Sequence, residues 1–491
     1  MPEHILGGLV LSLTPVNIFL SLIGVAVGIV IGAIPGLGPG MAIAVTVPLT
    51  FSMAPESGML LLMGLFCGAV YGGSITAILI GVPGTPASIV TVWDGYTMTK
   101  QGKAATALST AIVASTVGGV LSALALLFLS PLLAKITLMF GPPEYVALAF
   151  WGLAIICSLE AKTLVKGLIS ACIGLLLATV GMSPATGAAR FTFGSLSLSS
   201  GIEIIPVLIG LFCIPEVLSM VNSEQIKDIV TVKRQPFFEF LKEFKSSFGT
   251  SVRSGIIGVI IGIIPGAGGT IAPFITYNDA KTRSKEPEKF GTGYMPGITA
   301  AESANNGASA SSLVPLLTLG IPGSAAAVVF LGALTIHGLQ PGAMLFREHA
   351  DIVYGLLVGT VTIQFYMLFF GFFFAPLFAK TTKIPNAILI PGILIFSCIG
   401  AYANGSNLFN IWLMVVFGLL GFAMRYFKLS PAAMVLAMIL GPMLEDNIMI
   451  SLSISYGSPL IFFTRPICIF LYLLTIFMTV GPAAKSLKDK S

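Results

Sequence analysis

Apolar positions in this chain run on in long blocks instead of alternating with polar ones, and the blocks are interrupted by proline and glycine. The stretch Gly28–Val45, GIVIGAIPGLGPGMAIAV, is apolar enough for a bilayer yet carries two prolines and a series of glycines. Much of its pattern returns, at a constant offset, in GVIIGIIPGAGGTIAPFI, Gly258–Ile275. Gly28/Gly258, Gly32/Gly262, Pro35/Pro265, Gly36/Gly266, Gly38/Gly268 and Ala42/Ala272 match. Three further pairs follow in the same order: GVPGTPAS (Gly81–Ser88) with GIPGSAA (Gly320–Ala326), SPLLAKIT (Ser130–Thr137) with APLFAKTT (Ala375–Thr382), and Ser183-Pro184-Ala185 with Ser430-Pro431-Ala432. Ordered matches of this kind point to duplication of one unit.

Between the breaks the pattern predicts helices over roughly Ala104–Leu133, Tyr145–Leu159, Val165–Met182 and Ile204–Val221, with Pro142-Pro143 and Ser183-Pro184 as stops. A span needs about 20 apolar residues, so the chain has room for about ten to twelve helical segments. Only helices or closed barrels satisfy the backbone in lipid, and barrel-type alternation is lacking. The fold class is therefore an all-α polytopic integral membrane protein. It has two sequence-related repeats containing Pro-Gly-broken helices or re-entrant hairpins. The expected division is 1–222 for repeat one, 223–253 for a polar cytoplasmic linker and 254–491 for repeat two.

Composition sharpens this picture. The 491 residues are 56% hydrophobic and 9% charged, against roughly 25% charged in soluble chains. The net charge of +5 does not make a nucleic-acid-binding surface, and no nucleic-acid partner is expected. Charge collects in Glu224–Arg253 and Asp279–Lys289, and the positive-inside tendency puts the first of these in the cytoplasm. Within the first of these, FFEFLKEF reads either as an interfacial amphipathic helix or as plain solvated linker. The loop after the first break is FSMAPES in one half and NDAKTRSKEPEK in the other. Lys162 and Lys166 have no counterpart near Ala403–Asn410. Basic residues thus change sides between halves, as inverted repeats require, with Lys135 and Lys380 against the trend. The six cysteines lie in apolar runs without metal-type spacing and read as packing residues. The start MPEHILGG has neither a basic n-region nor a cleavage site, so the first apolar run is expected to be retained.

About ten apolar residues separate Arg253 from Pro265, a helical rise of about 15 Å, which puts that break near the bilayer midplane. A re-entrant hairpin fits this length. A broken helix offers free carbonyls to cations at one end and free amides to anions at the other. Pro35, Gly36 and Gly38, with Pro83, Gly84 and Thr85, are the candidates in repeat one. Pro265, Gly266 and Gly268, with Pro322, Gly323 and Ser324, are those in repeat two. They could converge on one site for a carboxylate and a coupling cation whose ligands the sequence does not assign. The alternative is that the glycines permit close packing and the prolines only kink.

The polar run GITAAESANNGASASS, Gly297–Ser312, precedes the last break. Thr299 and Glu302 have capping-box spacing, and Glu302 reads either as that cap or as a ligand contact. Ser303, Asn305 and Asn306 must find partners inside a bundle, either another helix or a substrate. Asp94 and Lys100 read as helix-end and interfacial charges.

PGLGPGMAIAVTVP, GVPGTPAS, GIIPGAGG, the ESANN run and PLLTLGIPGS resemble the large membrane subunit of tripartite tricarboxylate transporters, the TctA family. That resemblance covers nearly the whole chain. It implies a multi-pass permease of the bacterial inner membrane, working with a small membrane subunit and a periplasmic solute-binding protein. It further implies uptake of organic anions such as citrate, driven by a sodium or proton gradient, with no cofactor. In agreement, no G-x-x-x-x-G-K-[ST] loop occurs. GAGGT lacks the second proline of GLGPG, so the two anion-facing ends are not strictly alike. An intramembrane enzyme is the competing class, but His4, His337 and His349 are the only histidines and neither H-E-x-x-H nor G-x-S-x-G occurs. A passive scaffold would leave the polar run unexplained.

Overall fold

The computed structural model describes residues 2–160, 164–183, 187–221, 235–265, 268–381, 385–403 and 406–476. Among the described residues nine helices are long and apolar enough to cross a membrane. Strand is limited there to Gly181–Met182 paired with Ala189–Arg190.

The chain divides into two compact units, one of Met1–Leu133 with Glu216–Phe396, the other of Ala134–Pro215 with Ser397–Ser491. Each unit takes one stretch from before the polar linker and one from after it. Helix Phe248–Ile263 takes in the linker's last residues, and Phe237–Phe244 is a helix burying Phe240 and Phe244 while Phe238 stays exposed. Residues 222–234 lie outside the described residues.

In the first unit, helix Pro15–Gly32 lies along Pro55–Ile80 through a glycine ladder. A Cβ added to Gly24, Gly28 or Gly32 would fall 2.2, 2.4 or 2.3 Å from the carbonyl oxygen of Leu61, Leu65 or Ala69. Gly64, Gly68 and Gly72 return the approach at 2.7, 2.4 and 2.5 Å from the carbonyls of Ser21, Val25 and Ile29. In lipid, where apolar burial drives little association, such close backbone packing holds helices together. Helices Phe248–Ile263 and Met295–Ser311 pack in the same manner: Gly258 would meet the Ala304 carbonyl at 2.4 Å and Gly307 that of Gly255 at 2.6 Å.

Helix Pro55–Ile80 ends on a left-handed glycine, Gly81 at φ +71°, and so does the short helix Leu313–Leu319 that follows Met295–Ser311, on Gly320 at φ +73°; only a residue without Cβ adopts that conformation at little cost. The chain then folds back. The amide of Gly84 donates to the Gly73 carbonyl at 3.1 Å, and that of Gly323 to the Ser312 carbonyl at 3.2 Å. Beyond the breaks the arms cross between halves. Pro39–Thr46 packs on Ala325–Ile336, and Gly268–Arg283 packs on Pro86–Ser88 and Ile89–Lys100.

The second unit is built from Pro142–Glu160, Leu164–Ala178, Leu408–Phe427 and Pro431–Ile454, with the adjoining parts of Ala104–Thr137 and Ile204–Val221. Helix 204–221 has the expected bounds. The helix expected to reach Met182 stops at Ala178, because Gly181 (φ +121°) turns the chain into the strand pair. Arg190 makes a two-pronged pair with Glu445 at 2.9 and 3.1 Å. Ser430 caps the helix that begins at Pro431, while Pro184 and Ala185, the sequence counterparts of Pro431 and Ala432, lie outside the described residues.

Candidate functional site

The polar run forms the middle of the first unit: every residue from Gly297 to Ser311 is buried on one helix, Met295–Ser311. Asp94 holds its beginning. The Asp94 carboxylate accepts the amides of Gly291, Gly293 and Tyr294 at 2.9, 2.9 and 2.8 Å and the hydroxyl of Tyr277 at 2.7 Å. A negative charge there also suits the positive end of the helix. Asp94 is thus a fully buried anchor and not a helix-end charge facing solvent. Lys100, by contrast, stands 4.4 Å over the Tyr96 ring, as an interfacial cation does.

Glu302 lies two turns into the helix. Its carboxyl oxygens both accept from Ser74 Oγ at 2.7 Å, one accepts from Ser115 Oγ at 3.1 Å, and Thr91 Oγ1 donates as well. All four residues are buried. The T-x-x-E capping box does not form, because the helix starts at Met295 and not at Thr299. The Thr299 hydroxyl instead bonds back to the Met295 carbonyl at 2.9 Å.

Of the three neutral candidates, Ser303 donates to the Ser251 carbonyl at 2.6 Å and so ties neighbouring helices. Asn306 Nδ2 donates to the Glu302 carbonyl at 3.2 Å, but its Oδ1, and the Nδ2 of Asn305, are buried with no partner among the described residues. Asn305 faces the first break of the second half: a Cβ on Gly269 would be 3.4 Å from its Oδ1. Ala272, Ala304 and Ala308 pack together around this junction.

The break residues fall into two kinds. Gly36 is left-handed at φ +91°, and a Cβ added there would lie 3.4 Å from Glu216 Oε2, while Gly38 precedes the short helix Pro39–Thr46 with open space around it. Gly84 and Gly323 have no positive φ. They are glycines because a Cβ would strike Gly73 Cα at 2.6 Å or the Ser312 carbonyl at 2.8 Å. Next to them, Thr85 Oγ1 lies 2.9 Å from Ser88 Oγ, and Ser324 caps helix Ala325–Ile336 through the Ala327 amide at 3.2 Å. Pro35 and Pro83 are half-buried, Pro265 and Pro322 buried. Gly268 begins helix Gly268–Arg283, and Gly266 lies outside the described residues. A cavity of about 330 Å³ opens at the other end of helices Phe248–Ile263 and Gly268–Arg283, away from their break, lined by Thr250, Arg253, Asp279, Arg283, Ser284 and Tyr294 among others. Arg253 and Arg283 share Asp279, which leaves an excess positive charge in it.

Sequence reasoning missed Ser74, Thr91, Ser115 and Tyr277. Single hydroxyls in apolar helices carry no periodic signal, and only the fold brings them to Glu302 and Asp94.

The model of the Tripartite tricarboxylate transporter TctA family matches residues 18–436. The chain belongs to this family. The TctA chain is 36% identical over 482 residues, 98% of its own length and 96% of the relative's, to an uncharacterized 52.8 kDa protein in the TAR-I ttuC′ 3′ region of Agrobacterium vitis. It is 32% identical over 236 residues, 48% of its length and 98% of the relative's, to an uncharacterized protein in the TAR-II ttuC′ 3′ region of the same organism. No solved structure matches. As a TctA protein it is the large subunit of a tripartite tricarboxylate transporter, a multi-pass membrane component of transport and not an enzyme.

Proposed function

We propose that this subunit takes up organic carboxylates of the citrate class across the bacterial inner membrane. In this reading a cation gradient drives uptake, and a periplasmic binding protein and a small membrane subunit assist. The observation that carries it is the pair of buried, unpartnered amide atoms on Asn305 and Asn306, one turn from a buried carboxyl and beside a broken helix. Unpaired polar atoms cost free energy unless a ligand completes them. Neutral amides with helix ends can orient a carboxylate and still release it, which a fixed lysine or arginine would hinder. The remaining break residues, Pro35, Gly36 and Gly38 through Ser324, serve here as the walls and backbone ligands of the solute and ion sites.

The matched turns at Gly81 and Gly320 support reading residues 1–222 and 254–491 as repeats, and the basic residues that change sides between them support inversion about a cytoplasmic linker. Cysteines near Ser57 and near Lys285 should then label from opposite faces of the membrane; labelling of both from one side overturns the inversion.

The test of function is reconstitution in vesicles with candidate anions. Ion-driven uptake should require binding protein and small subunit, and full-rate uptake by this chain alone would sink the tripartite reading.

A further inference from the structure

Glu302 is a carboxyl inside a membrane protein with no basic side chain paired to it among the described residues. Its shell is oxygen only: Ser74, Thr91 and Ser115, from three different helices of the first half of the chain. Further oxygens continue outward. Ser74 Oγ is 3.5 Å from Ser88 Oγ, which is 2.9 Å from Thr85 Oγ1 at the Pro83-Gly84 break. A string of hydroxyls therefore runs from the buried carboxyl to the broken backbone. On the other side, Asn306 bonds to the Glu302 carbonyl and fronts the unpartnered amide region.

We propose that Glu302, with Ser74, Thr91 and Ser115, is the seat of the coupling ion: one positive charge, delivered as Na⁺ or as a proton. The assignment rests on the ion-coupled reading above. A lone carboxylate at such depth is expensive and needs a positive charge to neutralise it. An all-oxygen shell suits a hard monovalent ion, as it suits a proton shared among hydroxyls. With Asn306 one turn away, about 6 Å along the helix, charge taken up at Glu302 lowers the cost of an anion at the amides. That is the linkage symport requires. The titratable groups facing Glu302 from the packed helices do not replace this charge. Tyr71 carries no positive charge in either of its forms, Asp94 is held by Tyr277 and three amides, and Arg253 pairs with Asp279.

The test uses the whole three-component complex in vesicles, with solute uptake driven separately by a sodium gradient at constant pH and by a pH gradient without sodium. Wild type should respond to one of these, which names the ion. Glu302→Gln should lose gradient-driven accumulation by about tenfold or more while retaining solute exchange between equal concentrations, since a neutral amide mimics the loaded site. Ser115→Ala, a milder change, should shift the half-saturating Na⁺ concentration, or the proton concentration, by roughly three- to tenfold without a matching change in solute affinity at saturating ion. Thermal stability of the purified complex gives a second readout: an Na⁺- or pH-dependent rise in Tm should vanish in Glu302→Gln. Unchanged ion dependence in well-assembled Glu302→Gln and Ser115→Ala overturns the site and leaves ion coupling standing. A wild type indifferent to both gradients overturns coupling and the site together.

Discussion

The two helical stretches that end at the left-handed glycines, 55–80 and 295–319, share a backbone plan and differ in chemistry. Pairing Gly81 with Gly320 and Gly84 with Gly323 sets Met63, Phe66 and Cys67 of the first helix opposite Glu302, Asn305 and Asn306 of the second. Gly68 and Gly307 remain glycine in both, each against a neighbouring carbonyl. The first helix is an unbroken, apolar stretch of 26 residues, whereas the second is interrupted at Ser312 before Leu313–Leu319 resumes. Positions that set the distance between helices are thus kept, and positions that would meet a ligand diverge. At these aligned positions the first helix supplies a frame and the second the ligand groups, although the first half of the chain also gives the Ser74, Thr91 and Ser115 hydroxyls to Glu302.

This contrast can be broken at several points. The largest effect is expected where both halves obey the same constraint. Gly84→Val and Gly323→Val force side-chain atoms into backbone at 2.6 and 2.8 Å. Each should cost about 3 kcal/mol or more, as overpacking against unyielding backbone does, and appear as loss of folded protein in detergent. Gly36→Val meets no such wall, only its φ of +91°, so about 1 to 3 kcal/mol of strain should leave assembled but slower protein. Normal transport by the Gly84 and Gly323 variants would reduce these breaks to simple kinks.

Next comes Asp94→Ala. Four donors lose a buried acceptor, and at about 1 to 3 kcal/mol for such unsatisfied groups the complex should melt several degrees lower. An unchanged Tm would show that water replaces the carboxylate there.

Asn305→Ala and Asn306→Ala should weaken apparent solute affinity roughly three- to a hundredfold with assembly intact, the loss of about 0.5 to 3 kcal/mol per ligand hydrogen bond. Cys67→Ala, at the matching position of the apolar helix, should leave affinity unchanged. Equal effects from both would erase the division between frame and site.

The smallest effect belongs to the exposed pair Glu286–Lys289, 2.6 Å apart. Their hydrogen bond holds the Glu286 carboxyl below its ordinary 4.5 and the Lys289 ammonium above its ordinary 10.5. The pair's contribution is therefore present in full between those values. It fades as pH falls through the lowered value or rises through the raised one. Exposed pairs contribute little, so Lys289→Ala should be indistinguishable from wild type in a melting scan at neutral pH.

Much of the fold was legible because bilayer length and Pro-Gly punctuation act locally. Helix 204–221 and all four break positions follow from the sequence alone. Two things were not. The compact units cut across the halves, because membership depends on which helices offer glycine ladders to each other, a property of pairs of segments. The Glu302 shell needed the fold for the same reason: Ser74, Thr91 and Ser115 have no sequence feature that separates them from other hydroxyls in apolar helices. Asp94 was visible as a charge, yet its burial depends on amides at 291–294.

That last bond spans 200 positions and bears on biosynthesis. Synthesis at roughly 5 to 20 residues per second separates the emergence of Asp94 from that of Tyr294 by about 10 to 40 s. For most of that interval, until Tyr277 emerges 183 positions on, the carboxylate has none of its four donors, and lipid cannot supply them. Segment Ile89–Lys100 must therefore wait in water or against the insertion machinery until the second half arrives to receive it. A nascent chain halted before Tyr277 should expose that segment to protease, and one released at full length should protect it.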